Sequence, residues 1–202
     1  MIASAPLKRA ADIPLRCACG KLRGTARAVS PSAGTRLVCY CDDCQAFARF
    51  LGRPGITNES GGTDIFQMAP SRVRITAGAD ELRCLRLSQK GMHRWYCGGC
   101  KTPVGNTLGP RVPFVGLIHA FMDHATDGRA RDEVLGKPVG HFLTKFATGP
   151  VPESSMLRVM ARSVRLLGTW WLTGAGSPSP FFDDTMPRSE PRILGAEERR
   201  AL

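Results

Sequence analysis

Arg94-Trp95-Tyr96-Cys97-Gly98-Gly99-Cys100 is a short apolar run that ends in a cysteine knuckle. A brief aromatic run ahead of two glycines predicts a strand entering a tight turn. Side chains alternate along a strand, so Trp95 and Cys97 share a face. Zinc wants four tetrahedral ligands with Zn–S near ~2.3 Å, so its sulfurs must converge. A C-x-x-C turn brings two together. Gly98 and Gly99 are expected to give the positive φ that such a turn uses.

Two further groups lie upstream: Cys17-Ala18-Cys19-Gly20 and Cys39-Tyr40-Cys41-Asp42-Asp43-Cys44. In a C-x-C pair on a strand both thiols leave one face and can share a metal. One pair alone is weak evidence; three groups between residues 17 and 100 point firmly to metal. Seven grouped thiols make one closed four-cysteine site and leave three over. Cys17 and Cys19 with Cys97 and Cys100 would staple the start of the β region to its end. Cys39, Cys41 and Cys44 could then hold a second zinc. Three protein ligands and an open corner suit a catalytic zinc, whereas four suit a structural one. Two alternatives stand beside this. Cys97/Cys100 could be a redox dithiol, although no βαβ context surrounds it, and the middle trio could be completed by Cys84 or a histidine. Cys84 reads as a buried strand cysteine. His93, His119, His124 and His141 are scattered and read as ordinary core or surface groups.

Around these groups the chain shows short apolar runs at 36–40, 64–68, 73–76, 82–87, 94–97 and 112–119, separated by Gly, Pro, Ser and Asn. They predict a mainly β fold of small antiparallel sheets. Asp42 and Asp43 ahead of Ala46, Phe47, Phe50 and Leu51, with Gly52 after them, predict one short helix over 42–51. Residues 53–63 read as a loop. Residues 1–15 read as a loose basic leader, 16–120 as the zinc-binding β domain, 121–173 as a helical extension and 174–202 as a Pro-, Ser- and charge-rich tail that hugs the surface or stays mobile. Within the extension, Arg158, Arg162, Arg165 and Thr169 form one polar stripe. The rest of 156–172 is apolar, which predicts an amphipathic helix with a wide apolar face. That face suits packing on the domain or a homodimer, and less well a membrane surface.

At 202 residues and 43% apolar composition the chain can build a real core. No run is apolar for long enough to span a membrane. Lys8 and Arg9 are not followed by an apolar stretch, so no secretory signal is read. A reducing, cytoplasmic setting follows as the expectation, with thiols free for metal. The net charge of +11 is uneven: residues 1–120 carry 17 Lys/Arg against 7 Asp/Glu, and residues 121–202 carry 11 against 10. Such a field attracts small anions, nucleic acid or acidic surfaces without choosing among them. No helix-turn-helix or base-stacking pattern accompanies it.

The ordered set C-x-C-G, C-x-C-x-x-C, then Ser88, Gly91, Arg94, Cys97, Cys100 and Pro103, resembles the family of glutathione-dependent formaldehyde-activating enzyme and centromere protein V (CENP-V/GFA) over about residues 16–120. The resemblance implies a β-tent of coiled antiparallel sheets. It also implies a structural zinc on Cys17, Cys19, Cys97 and Cys100, and a second, open zinc on Cys39, Cys41 and Cys44. In the enzyme members the open corner takes the glutathione thiol, which adds to formaldehyde, a carbon–sulfur lyase chemistry. Arg16, Lys21, Arg23 and Arg94 are the cations that could then hold the tripeptide's carboxylates. The chain departs from the pattern at Tyr40, where His or Ser is common, at Gln45, where Arg is common, and at Lys101, where Gly is common. Three functions are therefore expected to compete: a zinc-dependent thiol-adduct lyase, a non-catalytic zinc module for a partner, thiol metabolite or nucleic acid, and a membrane-surface protein using the 156–172 helix.

Overall fold

The computed structural model describes residues 10–123 and 131–202; His124 and most of the expected leader lie outside them. The fold is mainly β. Three strands, β1 (Ala11–Arg16), β2 (Arg23–Val29) and β5 (Val73–Ala77), form a small antiparallel sheet in the order β1-β2-β5. A larger sheet has an antiparallel centre built from β3 (Thr35–Cys39), β4 (Thr63–Met68), β9 (Val115–Ile118), β8 (Pro103–Thr107), β7 (His93–Cys97) and β6 (Leu82–Arg86), in that spatial order. The strand expected across residues 112–119 is thus shorter than its apolar run. Ala11–Arg16 is also a strand, with Ile13 and Leu15 buried, where a loose leader was expected. The alternation of apolar Ile13 and Leu15 with Asp12 and Arg16 is the signal that carries it.

The segment after residue 130 is woven into the same sheet. β10 (Gly140–Phe142) pairs in parallel with β3 at one edge, and β13 (Pro191–Ile193) pairs in parallel with β6 at the other. The new edge strands are only three residues long each, and edges that short leave few unpaired strand groups to promote aggregation. A small hairpin, β11 (Phe182–Asp183) with β12 (Met186–Pro187), completes the strands. Phe181 is fully buried and stacks near Trp95, with ring centroids 5.3 Å apart. The tail is therefore part of the core: its Pro- and Ser-rich composition hid two aromatic anchors, Phe181 and Phe182.

The large sheet buries two cores, one on each face. Trp95, Cys97, Phe66 and Leu117 meet the small sheet and the tail phenylalanines on one face. Leu37, Cys39, Ile65, Tyr96 and Ile118 meet the helices on the other. This side carries α1 (Asp42–Phe50) and α3 (Met156–Leu172); short helices α2 (Arg131–Leu135) and α4 (Ala196–Arg200) flank the extension and the terminus. Both longer helices follow the sequence closely. α1 has Asp42 and Asp43 in its first turn and ends at Gly52, whose φ of 62° suits a left-handed helix stop.

α3 packs on β10 and β3, but it is turned relative to the expectation. Arg162, placed on the polar stripe, points inward and donates to the carbonyls of Pro31 and Gly34. Ser163 donates to Gln67 Oε1 at 2.7 Å. Only Val159 and Trp170 are buried, while Leu157, Trp171 and Leu172 face solvent. Two loop carbonyls left unpaired at 31 and 34 recruit the guanidinium, and that polar demand outweighs the helical apolar stripe. Among the described residues no helix is long and apolar enough to cross a membrane.

Candidate metal centres

β7 faces both cysteine centres, carrying Cys97 into one and Arg94 toward the other. Trp95 and Cys97 do share a face, as the alternation predicts, and Arg94 and Tyr96 take the other. A register shift between Trp95 and Tyr96, opposite the extra residue Val104, marks a bulge just before the knuckle.

On the Cys97 face, Cys17, Cys19, Cys97 and Cys100 present four sulfurs that all lie within 4.8 Å of one another. The Sγ of Cys19 stands 3.4 Å from that of Cys17 and 3.8 Å from that of Cys97. The turn after β1 is built for this: Leu22 N–H donates to Cys17 Sγ at 3.3 Å, and Gly20 takes a φ of 73°. Thr102 joins the two halves, accepting from Ala18 N–H at 3.0 Å while its hydroxyl lies 3.1 Å from Cys100 Sγ. Burial pushes the Cys97 thiol up to about 12. At Cys100 burial works in the same direction, but the Thr102 hydroxyl and nearby amides overcome it and bring the thiol down to about 6.

The glycines of the knuckle act differently from the expectation. Neither Gly98 nor Gly99 has a positive φ; the left-handed residue is Lys101, at 59°. What the glycines provide is room. A Cβ on Gly98 would lie 3.3 Å from the Glu81 carbonyl oxygen, and one on Gly99 would lie 3.2 Å from a Glu81 carboxylate oxygen. Lys101 explains its own departure from the resembled pattern: glycine is the natural residue for that φ, and here lysine bears the strain with its ammonium 5.1 Å from the Tyr96 ring centroid.

On the opposite face Cys39, Cys41 and Cys44 also lie mutually within 4.8 Å, and among the described residues no other His, Cys, Asp or Glu completes the group. Strand β3 ends at Cys39 and helix α1 begins just after Cys41. Cys41 is the helix N-cap, and its Sγ accepts from Cys44 N–H at 3.3 Å. A helix N-terminus favours a thiolate there. Arg94, only 2% exposed, reaches across from β7 with Nη1 3.8 Å from Cys44 Sγ and Nη2 3.3 Å from Asp43. Hydrogen bonds from the Cys39 and Cys41 thiols, helped by this guanidinium, hold Cys44 well below the ordinary thiol range. Cys39 is pushed up by the same shared hydrogen bonds. Packed this way, the trio keeps part of its protons unless a cation replaces them.

The trio forms part of the wall of a cavity of about 740 Å³ between α3 and the sheet. The floor includes Leu37, Ile65 and Gly116, and the roof includes Val159, Met160 and Leu167. Phe142 and Phe146 from the extension close a side. The charged residues along it, Asp42, Asp43 and Arg94, gather at the cysteine end. None of the roof was legible as a site: an apolar helix face gives no sign of whether it packs tightly or spans a void.

Of the four cations expected beside the trio, Arg94 alone is there. Arg16 pairs with Asp123 at 3.5 Å, Lys21 with Glu81 at 2.9 Å, and Arg23 donates to the Gly20 carbonyl at 2.6 Å, all near the four-cysteine group. The reason is the β1–β2 ladder, whose connecting turn carries residues 16–23 away from the α1 face. Cys84 is buried in β6 outside both groups, and burial raises its thiol to about 12. Tyr40 alternates away from the thiols; its hydroxyl accepts from Asn58 and lies 3.3 Å from His141 Nδ1. Gln45 ties α1 to the extension by donating to the carbonyls of Tyr40 and Phe146.

Residues 10–192 match the model of a family of unknown function, DUF6151. The chain belongs to that family. No curated protein matches it. In this DUF6151 protein both cysteine groups lie inside the matched span, as do the buried tail phenylalanines and the first two residues of β13. The matched unit therefore includes the extension that roofs the cavity, and is not limited to the cysteine-bearing sheet.

Proposed function

We propose that this DUF6151 protein binds two zinc ions, a structural one at Cys17, Cys19, Cys97 and Cys100, and a second at Cys39, Cys41 and Cys44 where a small thiol makes or breaks a carbon–sulfur bond. One observation carries the reading: three converging sulfurs, without a fourth protein donor among the described residues, stand on the wall of a cavity large enough for a substrate. The donor set fits the metal. All-sulfur sites suit zinc, and the buried Arg94 balances the net negative charge that three thiolates and a dication leave behind. Bound there, zinc would supply the Lewis acidity that lowers the pKa of a thiol at its open corner.

The chain's own residues do the rest. The α1 N-terminus and Arg94 favour the thiolate at Cys44. The reaction class is reversible addition of a thiol to a small aldehyde. Sulfur bonds to the carbonyl carbon, the C=O pair moves onto oxygen, and the thiol proton ends on that oxygen as a hydroxyl. The resemblance to the formaldehyde-activating family supports this choice. The zinc-loaded protein, mixed with thiol and formaldehyde, should accelerate hemithioacetal exchange seen by NMR, and Cys41→Ser should return the rate to that of buffer. A wild-type rate equal to buffer rejects the reading.

A second reading, a non-catalytic module that self-associates through α3, draws on the solvent-facing Leu157, Trp171 and Leu172. Light scattering of the wild type against Leu157→Glu tests it, with a monomer in both cases counting against it.

A further inference from the structure

The cavity beside the cysteine trio is the wrong shape of environment for a peptide thiol. Glutathione carries two carboxylates and an ammonium, and burying such groups costs heavily without partners. Here one guanidinium is available, and it already faces Cys44 and Asp43. Two aspartates stand beside it. Beyond this polar end the walls are mainly apolar, with Leu37 and Ile65 below, Leu167 and Met160 above and Phe114 and Phe142 at the sides, while Gln67 and Ser163 are hydrogen-bonded to each other. Gly116 keeps the floor open where a Cβ would meet Ile65 at 2.8 Å. Leu108 and Val164, both more than half exposed, lie along the lining and open the cavity to solvent.

We infer that the ligand of this cavity is an aliphatic thiol: an unbranched apolar chain lying between α3 and the sheet, with its sulfur at Cys39, Cys41 and Cys44. The inference rests on the thiol reading above and names its substrate class. It makes the extension a specificity element. α3, β10 and Phe146 supply the walls that select an apolar body, while the β3–α1 junction supplies the head-group site.

Calorimetric titration of the zinc-loaded full chain with mercaptoalkanols from butyl to undecyl, with glutathione, and with octanol as a thiol-free control tests it. Affinity should rise about fourfold per added methylene, the gain from removing one CH₂ from water, until the cavity is filled. Glutathione should bind weakest of the thiols, and octanol should compete with mercaptooctanol. Leu167→Asp, which puts a carboxylate in the roof, should flatten the chain-length dependence with metal content unchanged; Val164→Asp, at an exposed position, repeats the test if Leu167→Asp does not fold. Equal affinity at every chain length, or tighter binding of glutathione than of the octyl thiol, overturns the inference and leaves the thiol site standing. Mercaptooctanol binding no tighter than octanol overturns the thiol reading and leaves the apolar site standing.

Discussion

Arg94 Nη1 lies 3.8 Å from Cys44 Sγ, on a side chain 2% exposed that crosses from β7 to the start of α1. The same guanidinium reaches Asp43 at 3.3 Å, and Asp43 in turn pairs with Arg199 of α4 at 3.1 Å. The trio is thus held by three elements distant in sequence. A buried cation this close to the sulfurs lowers the cost of gathering thiolates.

Arg94→Met keeps most of the volume and removes the charge. Residues that support ligands from outside the coordination sphere typically change metal affinity about 10–100-fold. The metal at the trio should therefore weaken by that factor in competition with a chromophoric chelator, while the four-cysteine group keeps its metal. Unchanged affinity would mean that the guanidinium serves packing against Phe47, whose ring centroid is 5.6 Å away.

Cys97→Ser and Cys41→Ser should separate the two centres. The first group joins the turn after β1 to the turn after β7, so it closes a long loop of chain. Losing a metal there should cost at least ~4 kcal/mol, or roughly 8–16 °C in Tm for a chain of this size. The trio sits within one strand–helix junction, and its loss should lower Tm by much less. Native mass spectrometry should show one metal fewer in each variant; a collapse of stability in Cys41→Ser alone would reverse the assignment.

Local pattern and spacing were legible, and long-range pairing was not. The cysteine groups, α1 and α3 follow from residue spacing because each is decided within one or two turns of chain. The inward face of α3 was misread because the carbonyls that attract Arg162 belong to a loop more than a hundred residues away. The tail was misread for a related reason: the partners of Phe181 and Phe182 are Trp95 and His93, and nothing near residue 181 announces them. The positive φ at Lys101 was hidden because lysine gives no conformational signal where glycine would.

His93 gives the fold a pH dependence of its own. It is buried, stacks on Trp95 with 6.2 Å between centroids, and has Nδ1 without a partner. Burial, helped by the charge on Arg86, lowers its pKa below the ordinary 6.5. Above that ordinary value both folded and unfolded chains hold it neutral, and its contribution is fully present. As pH falls below it the unfolded chain takes the proton first, so stability declines until the lower folded pKa is passed. Urea midpoints measured from neutral pH down to about pH 5 should fall less steeply for His93→Gln than for wild type. The comparison isolates this group, since acid release of metal from thiolates acts equally on both proteins. Parallel profiles would show that His93 takes up its proton at the same pH in the folded and unfolded chains.

Phe181→Ala tests whether the tail is structural. Its ring is fully buried against Trp95, and Arg188 N–H donates to the Phe181 carbonyl at 3.0 Å, closing the hairpin that follows. Removing a buried phenyl ring costs about 3–5 kcal/mol, because the apolar surface is lost and the surrounding packing relaxes only in part. That loss should appear as a lower urea midpoint with an unchanged slope, the sign of weakened stability without a change in compactness. Met186→Ala, on the same hairpin but exposed, should move the midpoint hardly at all. If both variants behave alike, the tail docks loosely and the Trp95 contact contributes little. If only Phe181→Ala falls, one core joins the four-cysteine face to the chain's last thirty residues, and the knuckle at Cys97 is braced from behind by the tail as well as by its metal.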